Sequence, residues 1–183
     1  MYPIEYYNYW LALGSIALQV GAIVLLALHL LRKRFPDLDD VAAIFRARGL
    51  WIAFVLALIS SAMTLFYSEV LGLAPCAWCW VQRVFLYAQV ALFPLAIWKK
   101  DRGFADYSIA LSLFGAVVAL YQHYLQMGGT SVVPCPATAS EALDCGVRFM
   151  FEFNYITFPL ASFSLFAFLI ALMLFVRNAP RTS

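Results

Sequence analysis

Charged side chains are scarce in this chain, and their scarcity excludes an ordinary soluble domain. Asp, Glu, Lys and Arg make up only 12% of the 183 residues, whereas 64% are hydrophobic. A soluble domain has about 25% charged and about 45–50% apolar residues. One globule of this length cannot bury so large an apolar excess, so the bilayer is the expected solvent. The formal net charge of only +2 gives no sign of a nucleic-acid partner.

Long runs without charge take up most of the sequence. A membrane-spanning helix needs about 20 mostly apolar residues, and five stretches qualify: 10–31, 50–71, 78–98, 104–127 and 155–176. Helix is the expected state of each, because a chain that crosses lipid must satisfy its own backbone hydrogen bonds. A further short helix on the membrane surface is expected over 37–46. The sequence therefore predicts an all-α integral membrane protein.

Basic residues are nearly missing from one side of this five-span topology. That side holds only Arg148, because Arg83 lies within the third span. Basic loops face the cytoplasm, so the N-terminus, segment 68–76 and loop 126–154 are expected outside, and the tail 177–183 inside. The first span follows no basic segment and is predicted to be a retained helix, not a signal peptide. Ten basic residues lie on the side predicted to be cytoplasmic: Arg32, Lys33, Arg34, Arg46, Arg48, Lys99, Lys100, Arg102, Arg177 and Arg181.

Cysteine is limited to four residues, and all four fall on the side predicted to be outside. Cys76 and Cys79 form a CxxC motif at the start of the third span, and Cys135 and Cys145 lie in the one long polar loop. An external compartment permits disulfides, and a helix N-terminus stabilises a thiolate. A close pair and a loop pair on one aqueous face predict thiol–disulfide exchange, which requires sulfurs that can meet.

Arg83 interrupts the third span one helical turn beyond Cys79, on the same helix face. An arginine at the bilayer centre costs roughly 2.5–3.5 kcal/mol on insertion scales, and snorkelling toward the interface lowers that cost. A purely structural arginine is therefore one interpretation. The functional interpretation is that Arg83 donates to a carbonyl oxygen of a membrane-dissolved electron acceptor. A quinone fits, since it is apolar, takes two electrons and has two carbonyls.

The run Cys76-Ala-Trp-Cys79-Trp-Val-Gln-Arg83 resembles the CxxC-x-x-x-R signature of the disulfide bond formation protein B family, DsbB with its BdbC relatives. The resemblance covers about residues 50–176, with Tyr121-Gln122-His123-Tyr124 and Phe158-Pro159 as further matches. It implies a four-helix transmembrane bundle with the motif at the start of its second helix. Residues 1–49 would then add an extra N-terminal transmembrane helix and a cytoplasmic connector.

The same resemblance implies a membrane thiol oxidase of the bacterial inner membrane. Members of the family reoxidise a soluble, DsbA-like thioredoxin-fold oxidase and reduce a quinone, ubiquinone or menaquinone, which feeds electrons to respiration. On this chain Cys135 would take the mixed disulfide with the partner, with Cys145 as its loop mate, and electrons would pass on to the CxxC pair. Cys79 would face the quinone, with Arg83 and His123 on the quinone side.

Several features depart from the family pattern. The span 10–31 lies outside the four-helix plan and is interpreted as a helix that only packs. The nine residues between Cys135 and Cys145 are a shorter spacing than in the best-known members, and Gln82 stands where many members carry Glu. A packing role is the alternative for His123, as it is for any lone histidine in an apolar helix.

Three other functions are weighed against the oxidase. A quinone-reducing enzyme of the vitamin K epoxide reductase type shares the two cysteine pairs, but its loop pair precedes the CxxC. A membrane protein with purely structural extracytoplasmic disulfides would not need a CxxC with an arginine one turn below it. A four-thiolate zinc site is a poor match to the spacing, so no metal is expected.

Overall fold

The computed structural model describes residues 3–32, 34–35, 38–133, 135 and 144–177. Each of its five long helices is long and apolar enough to cross a membrane. Among the described residues the only β-type pairing is an isolated bridge between Glu152 and Ile156, so the predicted all-α membrane fold is confirmed. The helices are α1 (Ile4–Leu31), α2 (Leu38–Leu65), α3 (Ala77–Lys99), α4 (Phe104–Gln126) and α5 (Phe158–Arg177).

The second helix is longer than the sequence predicts. Instead of a separate surface helix over 37–46, α2 runs unbroken from Leu38 and continues into a π-helical turn, Phe66–Val70. Gly49 lies within this helix at a close contact with α5: a Cβ there would come 2.5 Å from Val176 Cγ2. Position 37 is outside the described residues, as are Lys33 and Arg181.

Apart from Arg83 and Arg148, the described basic residues lie at the opposite end of the bundle from the cysteines. At one end, Arg177 of α5 forms an ion pair with Asp106 of α4, with Nε and Oδ1 3.0 Å apart. Arg32 lies over the Phe175 ring at this end, 5.6 Å from its centroid. We call it the basic end, and the opposite end, where α3 starts, the cysteine end. The membrane face that each end occupies stays a prediction.

Helix α1 is hydrogen-bonded into the bundle, although it packs mainly along α5 and only sparsely against α2. Ser15 Oγ and Ser164 Oγ share a hydrogen bond of 3.1 Å, and Gln19 Nε2 donates to Ser164 Oγ at 3.0 Å. At the cysteine end, the Tyr67 hydroxyl donates to Asn8 Oδ1 at 3.0 Å. Such interhelical hydrogen bonds hold helices together in lipid, so α1 has a fixed position.

Helix α5 lies at the centre of the bundle, and the helices around it approach closely at small residues. Leu169, Leu172 and Met173 of α5 are fully buried. On α4, a Cβ at Gly115 would lie 2.5 Å from the Phe166 ring, so only glycine allows this approach. Small residues at such crossings are typical of membrane helices.

Candidate active site

The CxxC motif starts α3, as the sequence predicts. Cys76 is the N-cap residue, and its Sγ accepts a hydrogen bond from the Cys79 backbone N–H at 3.4 Å. The two sulfurs are 2.9 Å apart and are free thiols in this structure. Because the Cys76 thiol hydrogen-bonds to Cys79 and is buried, its pKa is raised above the ordinary value.

Gln122 of α4 is the side chain that joins the two sulfurs. Its Nε2 donates to Cys76 Sγ at 3.0 Å and to Cys79 Sγ at 3.2 Å. The Oε1 of Gln122 accepts a hydrogen bond from Gln82 Nε2 at 2.6 Å. Gln82 Nε2 also donates to the Trp78 carbonyl oxygen at 3.4 Å. A carbonyl can only accept, so the Gln82 amide is oriented, and it turns the NH₂ group of Gln122 toward the sulfurs. Hydrogen bonds to a charged sulfur favour the thiolate.

The loop disulfide lies against this site. Cys135 and Cys145 are bonded, with their Cα atoms 5.9 Å apart. Cys145 is only 1% exposed and shares a buried cluster with Cys76 and Leu125, and both Cys79 and Cys135 pack against this cluster. The structure therefore brings all four cysteines together. Loop residues 136–143 are outside the described residues.

Two hydrogen-bonded contacts hold the loop on α4. The Tyr121 hydroxyl donates to the Val133 carbonyl oxygen and accepts from the Val133 N–H, both at 2.8 Å. Gln126 Nε2 donates to the Val147 carbonyl oxygen at 3.0 Å. These contacts flank the two disulfide cysteines along the chain, so they fix the segments that carry Cys135 and Cys145.

A cavity of about 670 Å³ opens beside the sulfurs. Cys76, Cys79, Cys145 and Arg83 line it toward the cysteine end. Its volume is in the range of cavities that bind small, largely apolar molecules. Away from the sulfurs its walls are mostly apolar and come from α1, α2 and α5; they include Leu11, Leu18, Leu56, Ile59, Leu165 and Phe168.

Arg83 is buried at the wall of this cavity, with only 7% of its surface exposed. Its Nη2 donates to the Thr64 carbonyl oxygen at 2.8 Å, and its guanidinium lies 5.1 Å from the centroid of the Trp80 ring. Its Nη1 is buried and has no hydrogen-bond partner within the part of the chain that the structure describes. A buried donor without an acceptor costs about 1–3 kcal/mol, and more when charged. A carbonyl-bearing ligand would supply the missing acceptor, so the site fits the quinone that the sequence predicts.

His123 is placed differently from the other predicted site residues. Its Nδ1 is 2.9 Å from Thr157 Oγ1, and that oxygen also accepts from the Leu160 N–H in the first turn of α5. His123 does not line the cavity as defined by the described residues. The structure thus brings together the four cysteines and Arg83, whereas His123 contacts the start of α5.

The family comparison agrees with this arrangement of sulfurs. The family model described as "Disulfide bond formation protein DsbB" matches residues 46–177, which include all four cysteines and Arg83. The chain belongs to the DsbB family. The function of that family is disulfide formation, an oxidoreductase activity, and the five apolar helices agree with a multi-pass bacterial membrane protein.

Curated bacterial proteins similar to this chain bear DsbB-type names. The "SPbeta prophage-derived disulfide bond formation protein B" of Bacillus subtilis is 30% identical over 129 residues, which cover 69% of this chain and 85% of that protein. A "Probable disulfide formation protein" of Metapseudomonas resinovorans is 32% identical over 136 residues, 73% of this chain and 91% of that protein. "Disulfide bond formation protein C" of Bacillus subtilis is 27% identical over 132 residues, covering 70% and 92%. No solved structure significantly matches the chain.

The DsbB assignment and the geometry bear on two of the alternatives. Within the described ranges, no group of three or more His, Cys, Asp or Glu side chains is placed to hold a metal ion, and Cys135 is already bonded to Cys145. The four-thiolate zinc site thus gains no support. A purely structural role for the disulfides gives no reason for two free thiols beside a buried arginine.

Sequence reasoning missed the role of Gln122 and the contribution of α1 to the cavity. Gln122 stands beside His123 in a run that resembles the family, so its position could have marked it as a candidate. Helix α1 precedes the matched range 46–177, so the family pattern carried no information about it.

Proposed function

We propose that this DsbB-family protein oxidises a soluble thioredoxin-like protein outside the cytoplasm and passes the two electrons to a membrane quinone. One observation carries the proposal. A single largely apolar cavity is lined by both CxxC sulfurs, by Cys145 and by Arg83, whose Nη1 lacks a partner among the described residues. The cavity thus places thiols able to give electrons beside a donor for a carbonyl oxygen.

The first exchange takes place at the loop disulfide. Cys135 is partly exposed whereas Cys145 is buried, so a thiolate of the reduced partner attacks Cys135. A partner–Cys135 disulfide forms, the Cys135–Cys145 bond breaks, and Cys145 leaves as a thiolate inside the cluster that contains Cys76. The partner's second thiol then resolves the mixed disulfide, or Cys145 first attacks the oxidised CxxC pair at Cys76. In the first route the loop cysteines are left as two thiols, which then reduce the Cys76–Cys79 disulfide and become a disulfide again. In the second route the partner's second thiol releases Cys135, which attacks the Cys145–Cys76 bond, restores the loop disulfide and leaves the CxxC pair reduced. Either way the partner loses two electrons and the CxxC pair gains them.

The buried residues around the CxxC pair prepare it to be reoxidised. Attack at Cys76 makes Cys79 the leaving group, and the Gln122 amide stabilises its charge through the hydrogen bond to Cys79 Sγ. Arg83 Nη1 is available to donate to a carbonyl oxygen in the cavity. When bound, a quinone supplies a two-electron, two-proton acceptor, and the Cys76–Cys79 disulfide is restored. Apolar walls keep water from the thiols and match the hydrocarbon part of such a molecule.

The proposal is tested with the purified protein, a reduced thioredoxin-like oxidase and a short-chain quinone, by following quinone absorbance. Wild type should reduce the quinone catalytically, and Cys79→Ser should abolish the reaction. Arg83→Ala should raise the quinone KM by about tenfold or more, the loss expected for a hydrogen bond from a charged group, with a smaller change in kcat. Arg148→Ala is the matched control, because its guanidinium lies over Phe151 at the cysteine end, outside the cavity lining.

Persistence of quinone reduction in Cys79→Ser would remove the proposed electron path. A protein whose disulfides stay inert toward both partner and quinone would instead support structural disulfides. An equal rise in KM for Arg83→Ala and Arg148→Ala would show that loss of positive charge alone, and not the buried guanidinium, is responsible.

A further inference from the structure

One face of α1 lines the cavity beside the sulfurs. Tyr7, Leu11, Gly14 and Leu18 all line it, and their spacing of four, three and four residues places them along a single helix face. This face extends about 16 Å along the helix axis at about 1.5 Å per residue. The DsbB family model matches residues 46–177, and α1 lies before them. This wall of the cavity therefore comes from a helix outside the part of the chain that matches the family.

The cavity lies in the seam between α1 and α2. At the cysteine end the two helices touch, with the Tyr7 and Phe66 ring centroids 5.2 Å apart. Deeper in the bundle, away from the cysteine end, Ile59 and Met63 of α2 line the cavity. Helix α1 itself packs mainly against α5. The hydrogen bond between Ser15 and Ser164 holds α1 on α5. The space beside α2 is therefore a fixed feature of the packing.

Polarity changes along this seam. The sulfurs, Arg83 and Gln122 line the cavity near the cysteine end, whereas Leu18, Leu56 and Phe168 line it further into the bundle. A molecule with a carbonyl-bearing ring and a hydrocarbon tail matches this order, with the ring at Arg83 and the tail along α1. Gly14 lies on the tail side, and a Cβ built on it meets no atom within 4 Å.

We propose that α1 is the wall that holds the hydrocarbon tail of the quinone and that Gly14 leaves the space for that tail. The inference rests on the proposed quinone reduction and adds to it a preference for tailed over tail-less quinones. The extra helix thereby contributes directly to substrate binding, in place of the packing role expected from the sequence.

Kinetics with Gly14→Leu provide the first test. The leucine side chain fills the space beside the tail, so the KM for an isoprenyl-tailed quinone should rise by at least about tenfold, as overfilling a packed site implies. The KM for a tail-less benzoquinone should change less than about twofold. Gly14→Ala controls for loss of the glycine, and Ala27→Leu controls for a larger side chain at an exposed α1 position outside the cavity lining.

A binding readout independent of turnover is photolabelling with a quinone whose tail carries an azido group. Label should be recovered in the α1 peptide of wild type and Ala27→Leu, and should be reduced several-fold in Gly14→Leu. Tailed-quinone KM values and α1 labelling that are unchanged in Gly14→Leu, with wild type active, would overturn this inference alone. A wild type that reduces no quinone would overturn the proposed function, and this inference with it.

Discussion

At the scale of single residues, Gln122 carries the sharpest prediction, because it donates to both CxxC sulfurs at 3.0 and 3.2 Å. Gln122→Leu removes these donors, so the thiolate of the reduced pair is less favoured. The rate of partner-dependent quinone reduction should fall by about tenfold or more, the usual effect of losing a hydrogen bond to a charged group. The pH–rate profile should move to higher pH, because a more alkaline solution is then needed to ionise the pair. Quinone absorbance measured between pH 5.5 and 9 would show both effects.

Gln89→Leu is the matched control for that experiment. Gln89 is also a buried glutamine that joins α3 to α4, through Ser108 and Ser112, but it lies about 15 Å along α3 from Cys79. The Gln89→Leu substitution should lower the stability of the protein without moving the pH–rate profile of quinone reduction. A profile that is the same in wild type and Gln122→Leu would show that Gln122 only packs the two helices together.

The two loop cysteines should differ strongly in accessibility. In the reduced protein, Cys135 is expected to react with a bulky maleimide at least about tenfold faster than Cys145, because reactivity requires an exposed thiolate and Cys145 is 1% exposed. Mass spectrometry of single-cysteine variants, with the other three cysteines changed to serine, gives the two rates. Faster labelling at Cys145 would reverse the proposed order of attack.

The sequence predicted the chemistry-bearing residues that depend on local spacing and missed those that depend on packing. Cys76, Cys79 and Arg83 lie within two turns of one helix, so their spacing alone shows that they share a site. Gln122 is distant in sequence, and only the α3–α4 packing reveals its contact with the sulfurs. Packing also decides the position of His123, which contacts Thr157, the residue just before α5, and does not line the cavity as defined by the described residues.

At the scale of helices, the close contact of α4 with α5 depends on Gly115. A Cβ at this position would lie 2.5 Å from the ring of the buried Phe166. Gly115→Val should therefore destabilise the folded protein by about 1–3 kcal/mol, the range for overpacked cores, and lower its unfolding temperature in detergent. Gly14→Ala, whose Cβ meets no atom within 4 Å, should leave that temperature nearly unchanged. Equal unfolding temperatures for Gly115→Val and wild type would show that α5 can move away from α4.

Hydrophobic run length located all five helices, because a spanning segment is identified by its solvent and needs no tertiary information. The start of α2 was missed because charged residues there mask a helix that continues beyond the apolar run, from Leu38 onward. The contribution of α1 was missed for a different reason. Its apolar face does not reveal whether it contacts lipid, a neighbouring helix or a cavity, and hydrogen bonds such as Ser15 to Ser164 appear only after folding.

At the scale of the whole molecule, the bundle has two chemically distinct ends. Lys99 ends α3 at the basic end, where Lys100 and Arg102 follow before α4, whereas the four cysteines cluster at the other end. Basic loops favour the cytoplasmic face, and disulfides persist on the opposite face. The two rules rest on unrelated physics, membrane insertion and redox chemistry, yet they assign the same orientation to this chain.

That orientation is tested by labelling intact cells with a membrane-impermeant maleimide after mild reduction. A variant that retains only Cys135 should be labelled without permeabilisation, because the cysteine end is predicted to face the oxidising compartment. A cysteine-free protein carrying Lys99→Cys, an exposed position at the basic end, should be labelled only after the membrane is permeabilised. The reverse pattern would place the sulfurs in the cytosol, where thiols stay reduced and an external partner could not reach them. Since oxidation of an external partner depends on this orientation, that result would overturn the proposed function even if the cavity does bind a quinone.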